Sequence, residues 1–153
     1  MLYLGIMVCA NALSAPATPS PLGADLKAIQ GKWQAVAIEE KGFAWSKDEV
    51  AGVSAEIAND VLIYKEAGQT ERFRIAIDST QKPAHIDLRL IAEGVDPTKA
   101  CHCIYVIDGD RLKICLSTEF KADDAADRPT EFATGDKRPP KGRLLITMER
   151  AKK

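Results

Sequence analysis

The side chains with the types and spacing to do chemistry are few: Cys101-His102-Cys103 and Cys115, a second histidine at His85, and the adjacent carboxylates Glu39-Glu40 and Asp123-Asp124. Two thiols flanking an imidazole suggest zinc, which accepts sulfur and nitrogen ligands. On a strand, however, successive side chains alternate, so His102 points away from the face that carries both thiols. The ligand set this leaves is Cys101 and Cys103 with His85 from the preceding strand. The competing reading makes the thiols small buried hydrophobes, with His85 and His102 as polar strand residues facing solvent.

Nucleophilic catalysis finds no support. Gly52-Val-Ser54-Ala-Glu56 lacks the second glycine of a nucleophile elbow, and neither a His-Glu-x-x-His helix nor a phosphate-cradling glycine loop occurs. Glu39 and Glu40 would point to opposite faces of a strand, and Asp123-Asp124 sits in a charged connection. Neither forms the facing pair that glycoside hydrolysis needs, so both read as solvated charge. The expectation is a protein with no catalytic residue, no metal and no cofactor, and therefore not an enzyme.

The elements that must position these groups are short. From Trp33 onward apolar runs alternate with turn residues and no long helical period occurs, the pattern of an all-β sandwich or barrel. Strands are expected at 33–40, 53–58, 61–66, 70–77, 85–92, 101–108, 111–117 and 143–150, enough to close a small barrel. One short helix is expected at 22–30 and another at 46–51, where Ser46 and Glu49 have capping-box spacing. The segment 118–142, with its charges, Pro129, Gly135, Pro139 and Pro140, reads as a long surface connection.

A two-residue turn at Gly109-Asp110 fixes a register. Ile107 then faces Leu112, Tyr105 faces Ile114 and Cys103 faces Leu116 on the buried side, while Asp108 meets Arg111 and Val106 meets Lys113 on the other. Cys101 and Cys103 point inward in that register, and Cys115 points outward opposite Ile104. Free thiols follow from it, whereas a Cys103–Cys115 disulfide needs a bulge or a one-residue shift.

The chain has 153 residues, room for one domain and one core. Its 21 basic and 22 acidic residues leave a charge of −1, with no basic excess of the kind that binds phosphate backbones, so nucleic acid is excluded as a partner. Charges are absent from Met1 to Ala24. Leu2–Val8 is apolar and Ala10-Asn11-Ala12 offers the small-x-small pattern of signal cleavage. The expected organisation is a signal peptide at 1–15, a Pro-rich linker at 16–22 and the barrel domain at 23–153, in an exported (periplasmic or secreted), monomeric protein that does not span a membrane. Lipid anchoring through Cys9 is not expected, because Ile6-Met7-Val8 lacks the small residues such a site requires.

Gly31-Lys32-Trp33, at the start of the first strand, resembles the Gly-x-Trp signature of lipocalins. With Lys82-Pro-Ala-His-Ile-Asp87, Ile107-Asp-Gly-Asp-Arg-Leu-Lys-Ile-Cys115 and Arg128-Pro-Thr-Glu-Phe132, the chain resembles, over residues 26–150, a family of exported bacterial lipocalin-like domains of unknown function. The resemblance implies a single eight-stranded antiparallel up-and-down barrel. It also implies structural roles for Gly31, Trp33 and Arg150, with Trp33 plugging one end beneath Arg150, and Arg143 as the other candidate partner. An indole face accepts a guanidinium for about 0.5–2 kcal/mol.

In the Arg128–Phe132 motif either the side chains line the barrel mouth, or Pro129 stiffens the connection while Phe132 anchors it and Arg128 pairs with Glu131. The functional expectation is a binding module for a small apolar or amphipathic ligand, contacted by inward Phe73, Tyr105 and Ile114 and by Phe43 and Trp45 at the mouth, the competing role of Phe43 and Trp45 being to pack the helix at 46–51 against the barrel. The alternative is a structural or protein-interaction domain whose barrel is filled by its own side chains.

Overall fold

The first strand of the barrel, β1 (Gly31–Glu40), alternates buried Trp33 and Ala35 with exposed or half-buried neighbours, then breaks phase. A register shift between Ala35 and Ala37 leaves Val36 as a bulged residue, after which Ile38 takes the inward position. The computed structural model describes residues 21–118, 121–122, 127–135 and 142–152. The expected signal peptide, most of the linker and Asp123-Asp124 lie outside the described residues.

After α1 (Pro21–Ala28) and β1 come β2 (Phe43–Ala44), α2 (Lys47–Ala51), β3 (Ser54–Ala58), β4 (Val61–Glu66), β5 (Gln69–Asp78), β6 (Ala84–Leu90), β7 (Lys99–Asp108), β8 (Arg111–Ser117), β9 (Lys121–Ala122) and β10 (Arg143–Arg150). Each of the eight long strands pairs antiparallel with the next long strand along the chain, β2 pairs with β1 and β9 with β7, and β10 returns to pair with β1. The result is a closed eight-stranded antiparallel barrel with two short helices, the architecture that the lipocalin-like reading calls for. Closure removes the unpaired edges that an open sheet would expose.

The strand positions match those expected to within two residues at each end, and the β7–β8 hairpin has the anticipated register, with Cys103 opposite Leu116 and Tyr105 opposite Ile114. Strand β2 was not anticipated. It follows a two-residue turn in which Lys41 and Gly42 both have positive φ, which lets the chain double back onto β1. Helix α2 carries a complete capping box: Ser46 Oγ accepts from the Glu49 backbone N–H, and Glu49 accepts from the Ser46 N–H. No helix among the described residues is long and apolar enough to cross a membrane.

Candidate functional site

Inward side chains of the eight long strands make one continuous apolar core. Phe73, Tyr105 and Ile114, expected to contact a ligand, are 6%, 2% and 5% exposed, packed against Ile75, Ile86, Leu88, Leu112 and Ile146. Side chains this little exposed offer almost no surface to a ligand. Tyr105 reaches past the core to donate to Asp25 of α1 at 2.6 Å, and burial raises its pKa above the ordinary phenol value. Towards the opposite end exposure increases, and Tyr64, Leu90, Leu116 and Leu144 are only half-buried.

One end is closed by a single interlocked group. Arg150, the register partner of Trp33, lies over its ring at 4.4 Å from the centroid, while Arg143 sits at the other end of β10. The same guanidinium donates to the carbonyls of Gln30 at 2.8 Å and Ala28 at 2.5 Å, and Trp33 Nε1 donates to the Ile29 carbonyl at 2.8 Å. The α1–β1 junction is thereby tied to the last strand. Gly31 has φ +111, and a Cβ there would meet Arg150 Nη1 at 3.3 Å.

The wall has a gap beside the bulge. Residues 31–34 of β1 pair with β3 and residues 39–40 with β2, and α2 packs across the interval. Gln34 Nε2 holds the C-terminal end of this helix to the strand through the carbonyls of Ala51 at 3.2 Å and Val53 at 2.8 Å. Between helix and strand lies a pocket of about 450 Å³, lined by Gln34, Ala35, Val36, Ala37, Trp45, Lys47, Val50 and Ala51. Trp45 is half-buried and also packs on the core, so its ring forms the inner wall. Phe43 takes no part in the lining: it is 76% exposed, at the tip of β2.

The outer face of the barrel is not wet where the sequence pattern places water. Residues 101–105 of β7 are buried on both faces, because a strap of residues 127–135 crosses the outside of the barrel. Arg128 enters under it, ion-paired to Asp87 at 2.7 Å and donating to the Cys103 carbonyl at 2.7 Å. Its partner is therefore Asp87 and not Glu131. His102, opposite Asp87, is 6% exposed, which corrects the expectation that it faces solvent; its Nδ1 is 3.0 Å from the Asp87 carboxylate. Arg128 Nη2 lies 3.1 Å from the same nitrogen, so Nδ1 faces one acceptor and one donor, while Nε2 is buried with no hydrogen-bond partner among the described residues.

Pro129 is wholly buried, whereas Phe132 is half-buried, so Arg128 and Pro129 are the anchors of the motif rather than Phe132. Further along, Thr134 donates to Glu39 and accepts from the Gly42 N–H at 3.1 Å. Glu39 is thus a strap fastener and not a solvated charge. Beneath the strap Ile104 and Cys115 are fully buried in a small outer cluster separate from the barrel core.

The three thiols Cys101, Cys103 and Cys115 are free. Cys115 lies opposite Ile104 on the outward side, which rules out a Cys103–Cys115 bridge in this register. His85, also opposite Ile104, is half-buried on that outer side while Cys101 and Cys103 face inward, so the zinc set of two thiols and His85 does not assemble. Desolvation, then the Arg128 charge, holds the His85 pKa below its ordinary value. Family models, curated proteins and solved structures give no match to this chain.

Proposed function

We propose that this is a non-catalytic binding module whose small apolar or amphipathic ligand sits in the wall gap between β1 and α2, above a barrel filled by its own side chains. The observation that carries this reading is the pocket of about 450 Å³ walled by Trp45, inside the roughly 300–1,000 Å³ range of small-molecule sites. Its lining is mostly apolar, and Lys47 at the rim suits a ligand with an anionic or accepting group. Burial of Phe73, Tyr105 and Ile114 weighs against a ligand in the lumen. It also favours a second reading, a structural barrel that acts through its outer surface.

Native mass spectrometry of the exported protein from its own host, before and after denaturation, tests for a carried ligand. Tryptophan fluorescence locates it. Trp33 is sealed, so a ligand in the gap perturbs only Trp45, and the response disappears in Trp45→Phe and weakens in Val36→Asp. A repeatedly bare chain mass, together with no response to a panel of fatty acids and amphiphiles, would transfer the case to the structural reading.

A further inference from the structure

Cys101 and Cys103 belong neither to the gap nor to the strap. Their sulfurs lie 3.6 Å apart on the inward face of β7, both fully buried, and Cys101 Sγ donates to the Ser117 carbonyl at 2.8 Å. Pairing of β7 with β6 runs unbroken from Tyr105 to Cys101, so the strand is regular between the two thiols. At a rise of about 3.3–3.4 Å per residue their Cα atoms stand about 6.6–6.8 Å apart, at the far limit of the roughly 4.4–6.8 Å that a disulfide spans. An ion held between two sulfurs bridges a wider gap than a direct S–S bond does.

Coordination number then selects the ion. Among the described residues no cluster of three or more His, Cys, Asp or Glu could hold a metal, and both histidines lie on the outer face. Two ligands do not satisfy zinc, which takes four in structural sites. A soft closed-shell monovalent ion is satisfied by two thiolates.

We propose that Cys101 and Cys103 form a two-coordinate dithiolate site for one soft monovalent metal ion of the copper(I) class. Binding breaks two S–H bonds, makes two metal–sulfur bonds and releases two protons, with no electron transferred. Burial, then the neighbouring Cys101 thiol, pushes the Cys103 pKa well up, so the ion must displace protons from thiols rather than meet preformed thiolates. The bound centre carries one net negative charge. Arg128, which donates to the Cys103 carbonyl, favours that charge, whereas Asp87 acts against it with the larger effect, so the metal–sulfur bonds and not the neighbouring charges must hold the centre. Half-buried Leu116, opposite Cys103, and Leu90, beyond Cys101 on β6, lie toward the less sealed end, so the thiols are one layer of apolar side chains below it.

The test is anaerobic titration of the reduced full chain with copper(I) buffered by a competing chelator. The expected result is one ion per chain, with affinity falling in Cys101→Ala and Cys103→Ala by more than the roughly 100-fold that loss of a supporting hydrogen bond costs, and unchanged in Cys115→Ala. Should a variant misfold, X-ray absorption of the wild-type complex decides independently: two sulfur neighbours and no nitrogen support the site. No copper retained, nitrogen ligation, or loss of binding in Cys115→Ala with retention in Cys103→Ala overturns it.

Discussion

Arg128→Ala tests whether the strap is latched from below. The substitution removes the guanidinium that pairs with Asp87 at 2.7 Å and caps the Cys103 carbonyl at 2.7 Å, from a side chain 11% exposed. Removing one partner of a buried pair costs about 3–5 kcal/mol, because the other charge stays desolvated. Asp87 is 23% exposed and keeps some contact with water, so the lower end applies, about 3 kcal/mol. That cost falls on docking of residues 127–135, because the barrel's own ladders do not pass through Arg128. At about 1.4 kcal/mol per tenfold, the strap-open population rises roughly 100-fold.

Cys115 reports the opening, being fully buried on the outer face with the strap's Ala133 backbone against its thiol. In a timed pulse of alkylating reagent read by peptide mass spectrometry, Cys115 modification should accelerate about 100-fold while Cys101 and Cys103, inside the barrel, stay protected. An unchanged Cys115 rate would refute the latch. So would equal acceleration at all three thiols, which would mean that Arg128 supports the whole fold instead.

Three further outcomes follow from the packing. Ile114→Ala, at a position 5% exposed, should cost about 2–5 kcal/mol in urea unfolding; a cost below about 1 kcal/mol would reveal a hollow lumen. Gly31→Ala forces a side chain onto φ +111 against Arg150 and should cost about 1–3 kcal/mol by thermal melting, with a wild-type melting curve contradicting the tie between Gly31 and Arg150. His85, whose folded pKa lies below its unfolded value of 6.5, contributes stability that is complete above that value and is lost as pH falls through the folded pKa. The stability lost between about pH 8 and pH 5.5 should therefore be smaller in His85→Gln than in the wild type, and an identical loss in both proteins would contradict the assignment.

The barrel itself was legible because antiparallel strands repeat every two residues and announce their turns. Gly109-Asp110 fixed the β7–β8 register, which in turn set Cys101 and Cys103 inward and Cys115 outward. The capping box at Ser46 and Glu49 was local chemistry and could be read as such. The outer face of β7 was misread for the same reason that the rest was readable. Alternation says which residues share a face, not whether another segment covers that face, so His102 was assigned to solvent when the strap buries it. Gly42 was the available signal for the turn before β2, while the positive φ of Lys41 is visible only in the structure. No sequence signal marked the gap that gathers Trp45, Lys47 and Gln34, because it arises from a bulge and a helix packed across it.

Sequence alone determined the strand positions, the register of the β7–β8 hairpin and the absence of known catalytic motifs, since each is fixed by local period, turn chemistry or residue type. Tertiary structure alone decided three things: that Phe73, Tyr105 and Ile114 are buried, that Arg128 meets Asp87 and His102 across 41 and 26 residues of chain, and that two thiols lie in van der Waals range in a dry interior. Each depends on how distant segments exclude water from one another, and burial of that kind is a property of the assembled surface rather than of any stretch of chain.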